Sequence, residues 1–156
     1  NGFCRAGGMT LLLATDLRVA ADHARFGLSE VKRGILPGNG GTQRTIQQLP
    51  YPIAMWLLLS GEWLTAQEAH QHGLINKVVP LSELMAEAER MAHVVCENGP
   101  LAVRAIKELA VRGQYMPVEY GLRLEQAIGQ VLRNTDDARE GPRAFAEKRK
   151  PNFTGR

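Results

Sequence analysis

The residue best suited to acid or base chemistry in this sequence is Glu30. It stands where a strand pattern gives way to "SEVKRGILPGNGGTQR" (residues 29–44), whose glycines and proline predict a loop with special backbone angles. Residues 35–37 of this loop are apolar. A carboxylate partly withdrawn from water by such neighbours has a raised pKa and can transfer protons near neutral pH. The alternative is a structural glutamate that caps a turn or pairs with Lys32 or Arg33.

The second chemical feature is the run Ala6, Gly7 and Gly8, directly before an apolar helical pattern. Free backbone N–H groups at a helix start point outward, and the helix dipole favours negative charge there. Such a start can supply one half of an oxyanion hole. The alternative is a turn whose glycines only permit close packing.

Other familiar sites do not fit the sequence. The segment "PGNGGTQR" lacks both the Gly-Lys-Ser/Thr ending of a Walker loop and the glycine spacing of a dinucleotide site. His70 and His72 are two residues apart, which places them on different faces of a helix, so we expect no metal site. Ser29, His23 and Asp22 lack the context of a nucleophile elbow.

The elements that must position Glu30 and Gly7 form an α/β half up to about Gly73, followed by an α-rich half. A capping box at Thr65 and Glu68 opens a short helix that Gly73 closes in a left-handed cap. Apolar periodicity predicts a helix buried on all sides at 8–16, strands at 17–21, 24–28 and 74–79, and helices at 84–95, 101–109, 117–133 and from 136 onward.

Composition indicates a globular chain. Its 156 residues fit one domain, and 44% hydrophobic content suffices for a sizeable core. The longest apolar run, at 53–59, is far below the roughly 20 residues of a membrane span. We therefore expect a cytoplasmic location by default, with an organelle matrix also open. Cys4 and Cys96 are predicted to be ordinary buried thiols.

The formal net charge is only +3, but basic residues crowd the end of the chain: Arg143, Lys148, Arg149, Lys150 and Arg156. This basic tail either meets an anionic partner or is a solvated helix end.

Four ordered segments together resemble the crotonase family of enoyl-CoA hydratases and isomerases. They are "NGFCRAGGMTLLLATDLRVA", "ARFGLSEVKRGILPGNGGTQR", "LLLSGEWLTAQEAHQHGLINKVVP" and "DDAREGPRAFAEKRKPNF". The resemblance implies an α/β fold with a ββα spiral core, here at 1–80, and a helical oligomerisation region at 81–156. It also implies that the first part of the core, with a second oxyanion donor, precedes Asn1.

By the same resemblance, Gly7 donates an N–H to an acyl-CoA thioester oxygen, and Glu30 is one of two glutamates that hold the added water. The other glutamate would fall at position 10, where this chain has Thr10. Threonine cannot deliver a proton at neutral pH. The resemblance thus implies a single-base enoyl-CoA hydratase, with an isomerase or a hydratase-lyase as alternatives.

The resemblance further implies that coenzyme A arrives as the thioester substrate and that no cofactor is permanently bound. Ala6, Pro37 and Gly38 are expected to contact this substrate, and Phe145 and Lys148 to lie near its adenine end. A homotrimer or hexamer through the C-terminal helices is implied. Non-catalytic alternatives are an RNA-binding protein, which needs more aromatic support than the basic tail offers, and a structural oligomerisation protein.

Overall fold

The computed structural model describes residues 1–156 and divides them into two units, Asn1–Arg90 and Met91–Arg156. The strands are β1 Phe3–Arg5, β2 Val19–Ala21, β3 Arg25–Gly27, β4 Trp63–Thr65 and β5 Lys77–Val79. The helices are α1 Gly7–Leu12, α2 Gly41–Gln48, α3 Tyr51–Ser60, α4 Ala66–Gln71, α5 Leu84–Cys96, α6 Pro100–Gly113, α7 Val118–Arg133 and α8 Asp136–Ala146. Short 3-10 helices occur at Glu30–Arg33 and Leu81–Glu83. None of these helices has the length and hydrophobicity that a membrane span requires.

Two small sheets organise the first unit. In one, β3 lies in the middle, parallel to β1 and antiparallel to β4. In the other, β2 pairs in parallel with β5. The predicted strands are confirmed but are shorter than expected.

A single apolar core lies between these strands and the helices of the first unit. Its buried members are Met9, Leu13, Ala20, Ala24, Phe26, Leu28, Leu49, Ala54, Leu57, Leu64, Ala66, Ala69, Leu74 and Ile75. Met9 and Leu13 are four residues apart and therefore face the core from one side of α1. The expectation that this helix is buried on all sides is wrong, because Leu11 points away from that side and is 71% exposed.

Local sequence signals explain the helix α4 well. The Thr65 hydroxyl accepts a hydrogen bond from the Glu68 amide at 3.1 Å, and the Glu68 carboxylate accepts one from the Thr65 amide at 2.8 Å. This is the predicted capping box. Gly73 follows the helix with φ of 77°, which is the predicted left-handed cap.

Arg18 ties the segment after α1 to the segment before β5. Its guanidinium donates to the Leu74 carbonyl at 3.0 Å and to the Gln48 side chain at 2.7 Å. Its amide donates to Asn76 Oδ1 at 2.8 Å. These bonds hold together the two segments that lead into β2 and β5, next to the pair Val19 and Lys77.

The second unit buries little apolar surface. The helices α6 and α7 pack together, yet neither has a buried residue. On α8 the buried side chains include two carboxylates, Asp137 and Glu140.

The prediction that both cysteines are buried is wrong. Cys4 on β1 is half-buried, and burial raises the pKa of its thiol. Cys96, at the end of α5, is exposed. Its helix has no buried residue, which the periodicity of α5 alone does not reveal.

Candidate active site

The parallel pairing of β1 with β3 brings the two predicted chemical features to one edge of a sheet. Arg5, the last residue of β1, lies opposite Gly27, the last residue of β3. Gly7 follows the first strand and Glu30 follows the second. In open α/β sheets, ligands bind beyond the carboxyl ends of the strands.

The turn between β1 and α1 has a constrained backbone. Ala6 has φ of 47° and ψ of −122°, a conformation that L residues rarely adopt, and its amide donates to the Gly27 carbonyl at 3.2 Å. Helix α1 begins at the next residue, Gly7. A Cβ added at Gly7 or Gly8 would meet no atom within 4 Å, and both residues are exposed. The start of α1 is therefore open to its surroundings.

Glu30 begins a 3-10 helix where the sequence predicted an irregular loop, and its carboxylate is partly withdrawn from solvent. The Oε2 atom is buried and accepts no hydrogen bond from any protein group. Lys32 pairs instead with Glu62, with its Nζ 2.8 Å from Oε1, and Arg33 forms no ion pair with Glu30. The structure thus contradicts the alternative in which Glu30 is an ion-paired or capping residue.

Thr10 lies buried on α1, with 8% of its surface exposed. Its hydroxyl donates to the Ala6 carbonyl at 3.2 Å, so its proton is engaged within its own helix. The start of α2 packs against it: a Cβ at Gly41 would lie 3.3 Å from Thr10 Oγ1 and 2.8 Å from Pro37 Cβ. Pro37 is buried, whereas Gly38 is exposed.

The glycine-rich loop has the special backbone angles that the sequence predicted. Gly34 and Gly40 have φ of 71° and 84°, and Asn39 has φ of 52°. The Arg44 side chain donates to the Asn39 carbonyl at 3.0 Å and holds this part of the loop against α2.

In the second unit, Phe145 and Lys148 adjoin at the end of α8. The Lys148 amide donates to the Phe145 carbonyl at 3.2 Å, and Lys148 has φ of 55°. The Phe145 side chain is 87% exposed. Lys148 is exposed and forms no ion pair.

Most of the basic tail is occupied by intramolecular ion pairs. Arg143 and Arg149 both bond to Glu140, and Lys150 lies 3.6 Å from Glu97. Glu140 was not among the residues predicted from the sequence to have a role. Its signal is the spacing of three from Asp137, which places both carboxylates on one face of α8.

Asp137 and Glu140 bind the chain that follows α8. Asp137 accepts hydrogen bonds from the amides of Thr154 at 2.7 Å and Gly155 at 2.9 Å. Glu140 accepts one from the Asn152 amide at 2.9 Å and is also bonded by Arg149. These two buried carboxylates therefore hold a segment that has no regular secondary structure.

Comparison with known proteins matches the whole chain to one family. The family described as enoyl-CoA hydratase/isomerase covers residues 1–156. The chain belongs to this family. Enoyl-CoA hydratase EchA19 of Mycobacterium tuberculosis is 44% identical over 151 residues, which are 97% of this chain and 57% of the relative. The (E)-benzylidenesuccinyl-CoA hydratase of Thauera aromatica is 43% identical over 155 residues, which are 99% of this chain and 60% of the relative.

Solved structures confirm the fold that the resemblance implied. The crystal structure of enoyl-CoA hydratase from Bacillus anthracis superposes with a TM-score of 0.98 at 39% identity, covering all of this chain and 60% of that one. A putative enoyl-CoA hydratase/isomerase from Mycobacterium abscessus gives 0.96 at 45% identity, over 100% of this chain and 65% of that one. The chain thus spans about three fifths of the length of the curated relatives it matches.

The Glu140 network makes the stability of this family member depend on pH. Hydrogen bonds from Arg149, then from the Asn152 amide and Arg143, hold the pKa of Glu140 well below its usual range. A depressed folded pKa contributes stability above the unfolded pKa, about 4.3, and this contribution is lost as the pH falls toward the folded pKa. We expect the melting temperature to decrease as the pH is lowered below about 4.3. We expect Glu140→Gln to have a lower melting temperature than the wild type at pH 7, and a melting temperature that depends less on pH in the acid range.

Thermal melts between pH 7 and pH 3 test this expectation. The matched control is Glu97→Gln, which removes an exposed carboxylate of the same unit that touches only Lys150. Equal effects of the two variants at pH 7 would contradict a special contribution from Glu140.

Proposed function

We propose that this chain carries the catalytic base of an enoyl-CoA hydratase that works with one glutamate. The observation that carries the proposal is the buried Oε2 of Glu30, which has no protein partner and lies at the sheet edge where Gly7 begins α1. A buried polar atom without a partner is unusual in a folded protein, and a catalytic role is one of the recognised reasons for it. The relatives named as hydratases support the same activity.

In the proposed reaction, water adds across the C2–C3 double bond of an enoyl thioester. Glu30 takes a proton from water while the water oxygen bonds to C3. The electron pair of the double bond moves toward the thioester oxygen, where the N–H of Gly7 stabilises the developing charge. Glu30 then returns its proton to C2, and the enolate collapses to the saturated 3-hydroxyacyl thioester. Glu30 ends as the carboxylate it was at the start.

Thr10 supports a mechanism with one base. Its hydroxyl proton is engaged with the Ala6 carbonyl, and a threonine neither accepts nor delivers a proton at neutral pH. The same observation favours a second candidate function, an enoyl-CoA isomerase. In that reaction Glu30 would remove a proton from C2 of a 3-enoyl thioester and return it to C4.

For substrate binding, we propose that coenzyme A is held as part of the substrate and that no resident cofactor takes part. Ala6 and Gly38 would approach the substrate directly, while the buried Pro37 would shape the site from beneath its surface. The free charge of Lys148 and the exposed ring of Phe145 suit a phosphorylated adenine nucleotide. The ion pairs that occupy most of the basic tail weigh against nucleic-acid binding.

We also propose that residues 81–156 form an oligomer interface, in a homotrimer or hexamer. Its support is the exposed apolar surface of α6 and α7, where Ile106, Leu122 and Val131 are each more than half exposed. Large contiguous apolar surfaces usually mark interaction sites.

The direct test of the base is Glu30→Gln in the full-length protein that carries this chain. We expect the kcat for hydration of crotonyl-CoA to fall by about 10²–10⁴-fold, because general acid–base catalysis contributes that much, while KM changes little. Loss of the conjugated enoyl absorbance measures the rate. Glu83→Gln, an exposed carboxylate of the same unit, is the control, and unchanged turnover in Glu30→Gln would remove Glu30 from the mechanism.

The role of position 10 is tested by Thr10→Glu against Thr10→Gln. Both changes add a side chain of similar size, but only the glutamate adds a second proton-transfer group. We expect hydration of crotonyl-CoA to rise by about 10²-fold in Thr10→Glu relative to Thr10→Gln, with circular dichroism confirming that both fold. Equal rates in two folded variants would show that Thr10 does not limit hydration.

Assembly is tested by Val131→Asp, which places a charge on the apolar surface of α7. We expect light scattering after size exclusion to show a shift from the oligomer toward the monomer, because an unpaired charge in an interface is costly. Gln126→Asp changes an exposed polar residue of the same helix and should leave the mass unchanged. A wild-type monomer would overturn the proposed interface.

A further inference from the structure

The position of the Glu30 carboxylate depends on the backbone of its turn. No ion pair or protein hydrogen bond holds the carboxylate itself. The 3-10 helix Glu30–Arg33 is held by backbone hydrogen bonds, from the Lys32 amide to the Ser29 carbonyl at 3.2 Å and from the Gly34 amide to the Val31 carbonyl at 3.0 Å. Whatever fixes this turn therefore also aims the base.

The turn packs on Gly61, the residue that directly follows α3. A Cβ at Gly61 would lie 3.0 Å from Lys32 Cγ and 3.1 Å from both Lys32 Cε and Val31 Cγ1. These distances are shorter than ordinary van der Waals contacts, so Val31 and Lys32 would have to move by a few tenths of an ångström to accommodate a side chain here. The ion pair of Lys32 with Glu62 draws the turn onto the same position.

The strand before Glu30 is held by the same segment. A Cβ at Gly27, the last residue of β3, would lie 3.1 Å from the Glu62 carbonyl oxygen and 3.1 Å from Trp63 Cγ. Residues 61–63 thus contact the chain on both sides of Glu30. The contact at Gly61 is the one that touches the turn itself.

We propose that Gly61 is a positioning residue for Glu30, because the absence of a side chain at Gly61 allows Val31 and Lys32 to pack closely against it. This inference rests on the proposed function, in which Glu30 is the base. A displacement of the turn by a few tenths of an ångström would move the carboxylate relative to the substrate. Misplacement by about 1 Å can cost 10²-fold in rate.

The chain offers a matched control in Gly73. Gly61 and Gly73 both follow a helix and both have positive φ, 66° and 77°. A Cβ at Gly73 would meet no atom within 4 Å, whereas a Cβ at Gly61 meets the turn. Alanine therefore introduces the same backbone strain at both positions, but only at Gly61 does it press on the residues next to Glu30.

The experiment compares Gly61→Ala with Gly73→Ala in the full-length protein, using crotonyl-CoA hydration and thermal melts. We expect both variants to lose melting temperature to a similar extent. We expect kcat to fall at least about tenfold in Gly61→Ala and to stay within about twofold in Gly73→Ala, with KM little changed in both. Equal kcat values in the two variants would overturn the proposal.

A second pair of variants separates the contact from backbone strain. Asparagine tolerates the left-handed conformation but still carries a Cβ. Gly61→Asn should therefore lose kcat as Gly61→Ala does while keeping more of its melting temperature, and Gly73→Asn should keep both. Recovery of kcat in Gly61→Asn would show that strain, not the contact, was responsible, and would overturn the proposal.

The Glu30→Gln variant separates the role of Glu30 as the base from the role of Gly61 in positioning it. If Glu30→Gln turns over normally, the proposed function is wrong, whatever Gly61 does. If Glu30→Gln is inactive and Gly61→Ala behaves like Gly73→Ala, only the role of Gly61 is wrong.

Discussion

The arrangement of this site depends on the hydrogen bond from the Ala6 amide to the Gly27 carbonyl. This bond extends the parallel pairing of β1 and β3 by one residue beyond the sheet. Because parallel strands point the same way, the chain leaves both of them at the same edge. The start of α1 at Gly7 and the partly buried carboxylate of Glu30 therefore come from separate parts of the sequence to the same edge of the sheet. Helix α1 begins at Gly7, the residue directly after the one that donates this bond.

Backbone strain coincides with the candidate site and its proposed substrate contacts. Only three residues other than glycine have positive φ, and they are Ala6, Asn39 and Lys148. Each such residue typically costs about 1–3 kcal/mol and persists only where its surroundings enforce it. At Ala6 the enforcing contact is the bond to Gly27, and at Asn39 it is the Arg44 side chain. Strain of this kind is commonly found where a structure is shaped for a ligand.

Local signals in the sequence predicted local structure correctly, and contacts between distant residues account for the errors. The capping box of Thr65 and Glu68 is formed by residues three apart, so its chemistry can be recognised directly. Lys32 was a plausible partner for Glu30 two residues away, yet it pairs with Glu62 thirty residues later. The exposure of Leu11 likewise depends on which side of α1 the core lies, which hydrophobicity alone does not reveal. The family resemblance supplied what periodicity could not, because four ordered motifs identify a fold as a whole.

The pairing of β2 with β5 also has consequences for how the first unit acquires its structure. Ala20 lies opposite Val78, so the chain must close a loop of more than fifty residues before this sheet exists. Loop-closure entropy makes such distant pairings slow to form relative to contacts between neighbours along the chain. The hydrogen bonds of Asp137 and Glu140 to the amides of residues 152–155 close loops of fewer than twenty residues. On kinetic grounds the two units therefore differ: the local contacts of residues 152–155 with α8 form early, and the parallel pairing of β2 with β5 in the first unit is completed late.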